Sequence, residues 1–90
     1  MFGLIFEIPG GVQEQYDKAM VELNLDANPA KGIVSHCAGP TPNGFRVVDV
    51  WESEADFNHF FETRLGRAIQ NAGIPQPQIT TWTVTNARRA

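Results

Sequence analysis

Ninety residues, 42% of them hydrophobic and 19% charged, make one globular domain and leave no room for a second core. A formal net charge of −3 and a pI near 5.2 argue against nucleic acid or an anionic membrane surface as the main partner. A single cysteine, Cys37, excludes an internal disulfide.

The chain opens on an apolar run, Met1 to Ile8, without the basic start, apolar length or cleavage site of a signal peptide or membrane span. Phe2, Leu4, Phe6 and Ile8 alternate with Gly3, Ile5 and Glu7, which predicts a largely buried strand. Pro9-Gly10-Gly11 stops it. A helix is expected from about Val12 to Leu25, with Val12, Tyr16, Ala19, Met20 and Leu23 on its apolar face. After the loop from Asp26 to Gly32, a second strand is expected from about Ile33 to Gly39. Cys37 lies within it and reads as a small core-facing thiol, consistent with a reduced, cytoplasmic setting.

Pro40-Thr41-Pro42-Asn43-Gly44 has the composition of a hairpin turn centred on Pro42 and Asn43. The third strand follows, and it organises the rest. Phe45, Val47, Asp49 and Trp51 share one face of it; Arg46, Val48, Val50 and Glu52 share the other. Ser53 is placed to cap the next helix, with Asp56 reaching back in a variant capping box. Phe57, Phe60, Phe61, Leu65, Ala68, Ile69 and Ala72 form a broad apolar stripe on that helix, which Gly66 is expected to divide in two. Gly73 is a left-handed cap with Ile74 folding back, and Pro75 blocks continuation. Ile79 to Thr85 reads as a last strand, and Arg88-Arg89 as part of a solvated tail.

The order βαββαβ predicts a ferredoxin-like α+β fold with a four-stranded, antiparallel-type sheet. Strands one and three are expected side by side and parallel, with two and four at the edges. Both helices then cover one sheet face. The other face still carries large apolar side chains, so a homodimer packed sheet against sheet is expected.

Val48-Asp49-Val50-Trp51-Glu52-Ser53, followed by Ala55, Phe57 and Phe60-Phe61, resembles a passage of the dimeric α+β barrel superfamily. The resemblance is to its antibiotic-biosynthesis-monooxygenase and stress-responsive branches, and it extends over nearly the whole chain in element order. It implies a pocket between sheet and helices. It also implies a range of activities: cofactor-independent oxygenases of aromatic polyketides, cyclases, isomerases, haem-degrading enzymes, and proteins without known activity. The haem-degrading members carry a helix histidine and an aromatic where this chain has Ile69 and Phe60, so the axial ligand is missing and haem degradation is disfavoured.

With Pro42 and Asn43 at the centre of the turn, His36 lies across from Asp49; an Asn43-Gly44 turn shifts the pairing by two on the same face, and a three-residue loop flips the parity and undoes it. A carboxylate beside an imidazole fixes its tautomer and favours the protonated ring, which suits proton abstraction from a phenol or a ketone α-carbon. A structural polar pair is the plainer alternative. Trp51, on the same face, offers a flat wall for an aromatic ligand. Tyr16 either packs in the core or points its hydroxyl at the same pocket, and Phe57, Phe60 and Phe61 either pack or line it. His59 is read as solvated, Arg46 as one half of a salt bridge, and Arg64 as packed along its stem with its guanidinium leaving the core. Trp82 either closes the pocket or sits in the dimer interface, and the interface is favoured. No closely spaced ligand set suggests a metal, and no fingerprint suggests a cofactor. The expectation is a cofactor-free monooxygenase, cyclase or isomerase of a flat aromatic or polyketide-like molecule, with His36 and Asp49 catalytic. A non-catalytic dimeric ligand-binding or assembly protein is the alternative.

Overall fold

A computed structural model describes residues 1–88. It contains β1 (Phe2–Pro9), α1 (Gln13–Leu23), β2 (Ile33–Thr41), β3 (Gly44–Trp51), a long helical rod and β4 (Gln78–Thr83). The rod consists of α2 (Glu54–Phe60), a π-helical turn (Phe61–Leu65) and α3 (Gly66–Ala72). The sheet order is β2-β3-β1-β4, and all neighbouring strands are antiparallel. This is the ferredoxin-like α+β fold.

β1 and β3 are neighbours with β2 and β4 at the edges, as expected. They run antiparallel, however, which corrects the parallel expectation. Helical crossovers make β1 parallel to β2 and β3 parallel to β4, each pair with a gap between them. The β2–β3 hairpin reverses the chain, so β3 enters the first gap pointing the other way.

Alternation decides what is buried. Leu4, Phe6 and Ile8 of β1 and Phe45, Val47 and Trp51 of β3 face the helices and are buried against Ala19, Leu23, Phe57, Phe60, Leu65 and Ala68. Trp51 is fully buried and meets Phe57 edge-on, with ring centroids 5.7 Å apart. Each large apolar side chain so buried contributes about 1.5–3 kcal/mol. The opposite sheet face is uncovered. Trp82 pairs with Gly3 on it, and a Cβ on Gly3 would come within 2.6 Å of the indole, so glycine leaves the space that ring occupies. Cys37 is exposed and pairs with the open-face residue Val48, so it is not core-facing in the monomer.

Ser53 caps the rod as expected, its Oγ accepting the Asp56 N–H at 3.1 Å. The Asp56 carboxylate instead abuts Gly32, whose φ of +89° and lack of a Cβ permit the approach. Gly66 does not divide the rod. It is helical (φ −57°, ψ −41°), and the irregularity is the π turn just before it. Gly73 ends the rod with φ +70°, and Ile74 N–H bonds back to Ile69 O at 3.1 Å. Of the expected Arg88-Arg89 tail, Arg88 is exposed and Arg89 lies outside the described residues. No described helix is long and apolar enough to cross a membrane.

Candidate active site

The hairpin sets the site. Thr41 faces Gly44, which puts His36 opposite Asp49 on the helix-covered face. Asp49 is 5% exposed, the one buried charged residue among those described. Its Oδ1 lies 2.6 Å from His36 Nδ1, and its Oδ2 accepts the Trp51 indole N–H at 3.3 Å. Both carboxylate oxygens are therefore engaged, which offsets the desolvation of a buried acid.

Tyr16 arrives from α1. Its Oη lies 2.6 Å from His36 Nε2, and its ring packs on Phe45 with centroids 5.0 Å apart. The carboxylate requires a proton on Nδ1, so Nε2 is the acceptor and the phenol donates to it. The result is a line of four groups: Tyr16, His36, Asp49, Trp51. Burial, then the charge of Asp49, with smaller contributions from Asp17 and Cys37, raises the Tyr16 phenol above its ordinary value. It therefore remains a proton donor to His36 at neutral pH.

Gln15 steadies this end of α1. Its Oε1 accepts the Val12 N–H at 3.0 Å, and its amide nitrogen donates to Gly73 O at 3.1 Å, tying the first turn of α1 to the end of the rod. Sequence reasoning passed over Gln15. The signal was there, since glutamine three residues past Val12 occupies the reciprocal position of a capping box.

Between sheet and helices lies a narrow, open-mouthed cavity with about 60 Å³ of free space. Phe6, Ile8, Met20, Phe45, Leu65 and Ile69 supply much of its apolar wall, and Tyr16, His36, Asp49 and Gln15 its polar groups. Neither lysine nor arginine is among the described residues that line it.

Four of the expected site residues thus meet at the cavity: Tyr16, His36, Asp49 and Phe60. Three do not line it. Trp51 is buried behind Asp49 and orients the carboxylate instead of offering a wall. Phe57 is core, and Phe61 is 36% exposed. Arg64 packs on Phe60, 5.2 Å from its ring centroid, and its guanidinium leaves the core for carbonyls at the surface, donating to Leu23 O at 2.8 Å and Asn28 O at 2.7 Å. Free carbonyls at the end of α1 and in the following loop explain this, because they are strong acceptors within its reach. Arg46 pairs with Glu7, as expected for a salt bridge. His59 is exposed on the rod.

Solved structures share this fold. The chain has the same ferredoxin-like α+β fold as several proteins described as antibiotic biosynthesis monooxygenases or cofactor-independent oxygenases. Among solved structures, it resembles a candidate antibiotic biosynthesis monooxygenase from Chloroflexus aurantiacus, at 17% identity and a TM-score of 0.70, covering 98% of this chain and 96% of that one. NE2512 from Nitrosomonas europaea, a protein of unknown function, is similar at 17% identity and a TM-score of 0.72, over 99% and 93% of the two chains. SnoaB from Streptomyces nogalater, a cofactor-independent oxygenase, is similar at 13% identity and a TM-score of 0.64, over 96% and 92%. At these identities the likeness is one of fold. No protein-family model matches the chain, and no curated protein sequence does.

Proposed function

We propose that this chain is a cofactor-independent enzyme that deprotonates a small, flat, aromatic or polyketide-like molecule in the cavity, with His36 and Asp49 as its base. The observation that carries the reading is the short hydrogen-bonded line Tyr16–His36–Asp49 at the wall of an apolar cavity. The buried carboxylate on Nδ1 fixes the His36 tautomer and presents Nε2 as the acceptor, the arrangement a general base needs. The apolar wall holds a flat ring and excludes water from the anion. Monooxygenation with dioxygen, cyclisation and isomerisation all begin from such an anion. SnoaB, a cofactor-independent oxygenase, shares the fold and so adds analogy to the reading. The working unit is a homodimer joined through the uncovered sheet faces.

A thermal-shift screen of wild type and His36→Ala against flat phenols and quinones tests this. Ligand at about a hundred times its Kd adds roughly 2.7 kcal/mol, several degrees in a domain of this size. Support would be a ligand that wild type turns over and His36→Ala does not. Equal turnover by both proteins would defeat the assignment of His36. A panel without ligands would favour an assembly role, with His36 and Asp49 as structural partners.

A further inference from the structure

We infer that the atom that takes the substrate's proton is Tyr16 Oη, with His36 behind it as the sink, and that the substrate is uncharged apart from one acidic hydroxyl. This deepens the proposed deprotonation and rests on it.

The first half follows from counting lone pairs. His36 has two ring nitrogens and both are engaged, Nδ1 with Asp49 and Nε2 with Tyr16, each at 2.6 Å. No nitrogen is left to meet a ligand directly. Tyr16 Oη donates its own proton to Nε2 and so keeps its acceptor capacity. A substrate hydroxyl that donates to Oη extends the line by one member. In the step, the substrate O–H bond breaks and its proton forms a new O–H bond at Oη. The original Tyr16 proton crosses to Nε2. The products are the substrate anion and an imidazolium, the latter held between Oη and the Asp49 carboxylate. Charge balances within the site and no oxidant or reductant is consumed. The phenol is suited to passing a proton rather than keeping its own charge, since burial and Asp49 both oppose the tyrosinate.

The second half follows from what the wall lacks. The described lining residues include no cationic side chain. The nearby Arg64 guanidinium is already engaged with the carbonyls of Leu23 and Asn28. The Gln15 amide accepts from Val12 and gives one of its two N–H groups to Gly73 O, and it carries no charge. A further carboxylate or phosphate on the ligand would enter an apolar wall without lysine or arginine and with the Asp49 charge close by, a costly arrangement. A single hydroxyl meets Oη and the remaining surface is apolar.

The probe is 4-nitrophenol, a flat phenol acidic enough to match an imidazole and coloured when ionised, with 4-nitrobenzoate as its charged counterpart. Bound to wild type, 4-nitrophenol should ionise at a lower pH than in free solution. Tyr16→Phe, which keeps the ring packed on Phe45, should still bind it but lose that shift, about tenfold in the ionisation constant. His36→Gln should lose it as well. 4-Nitrobenzoate should bind at least about tenfold more weakly than 4-nitrophenol. If Tyr16→Phe keeps the shift while His36→Gln loses it, His36 takes the proton directly: the relay is wrong and the proposed deprotonation survives. If neither variant alters the shift, or the phenol does not bind at all, both fail. Equal binding of the benzoate overturns the charge selection.

Discussion

Burying Asp49 costs free energy that its partners must offset, and both of its oxygens are met, by His36 and by the Trp51 indole. Tyr16 completes the line, and it is the sole tyrosine of the chain. Its ionisation is therefore readable by ultraviolet absorbance with no other phenol in the signal. The phenol should titrate above 10.0, its ordinary value, because burial comes first and the Asp49 charge second. Asp49→Asn should bring it down by removing that charge. The same shift couples to stability. Above 10.0 the unfolded chain releases the tyrosine proton while the folded chain retains it, so this contribution to stability is complete below that pH and is lost as pH rises through the higher native value. Chemical denaturation across that alkaline range should show stability falling in wild type, and Tyr16→Phe should lack this contribution to the fall.

Among the elements, the β2–β3 hairpin matters most, because its register puts His36 on the face of Asp49. Gly44 holds that register where space is short. A Cβ there would run into Ile8 O and lie 2.8 Å from Gly10 N. Gly44→Ala should therefore destabilise by about 1–3 kcal/mol, measured by urea denaturation. A cost within a few tenths of a kcal/mol would mean that the turn has slack. This pairing was legible in the sequence because turn chemistry and strand alternation are local, and together they set parity once the turn has two central residues. The contact of Tyr16 with His36 was not. It depends on how α1 is rotated and set over the sheet, which the spacing of apolar residues defines only to a broad stripe. Trp51 misled for a related reason: the strand pattern gives its face, but not that its N–H turns to the carboxylate and draws the indole into the core. The π turn had no trace in the sequence, where Phe61 and Leu65 stand at ordinary helical spacing. Only the structure shows the buried positions stepping by five, from Phe60 to Leu65, with Phe61 turned outward. Gly66 attracted attention because glycine so often ends helices.

At the scale of the whole molecule, the uncovered sheet face and its two edge strands are what a single chain leaves unfinished. Val34 and Trp82 are 45% and 41% exposed on the edge strands, and Ile5, Val48 and Val50 stand between the edges. Analytical ultracentrifugation should give twice the 10.0 kDa chain mass, and Trp82→Lys should shift the protein toward the single chain. A monomer at all concentrations would leave that face without its proposed cover. The proposed chemistry itself is tested most directly by the ring nitrogens of His36, followed by 15N NMR in the full chain as 4-nitrophenol is added near neutral pH. Proton uptake from the ligand predicts that both nitrogens become protonated on binding, as the bound phenol becomes the coloured anion. A ring that keeps one bare nitrogen while the phenol sits bound and colourless would contradict it, and would make the His36–Asp49 pair a structural one.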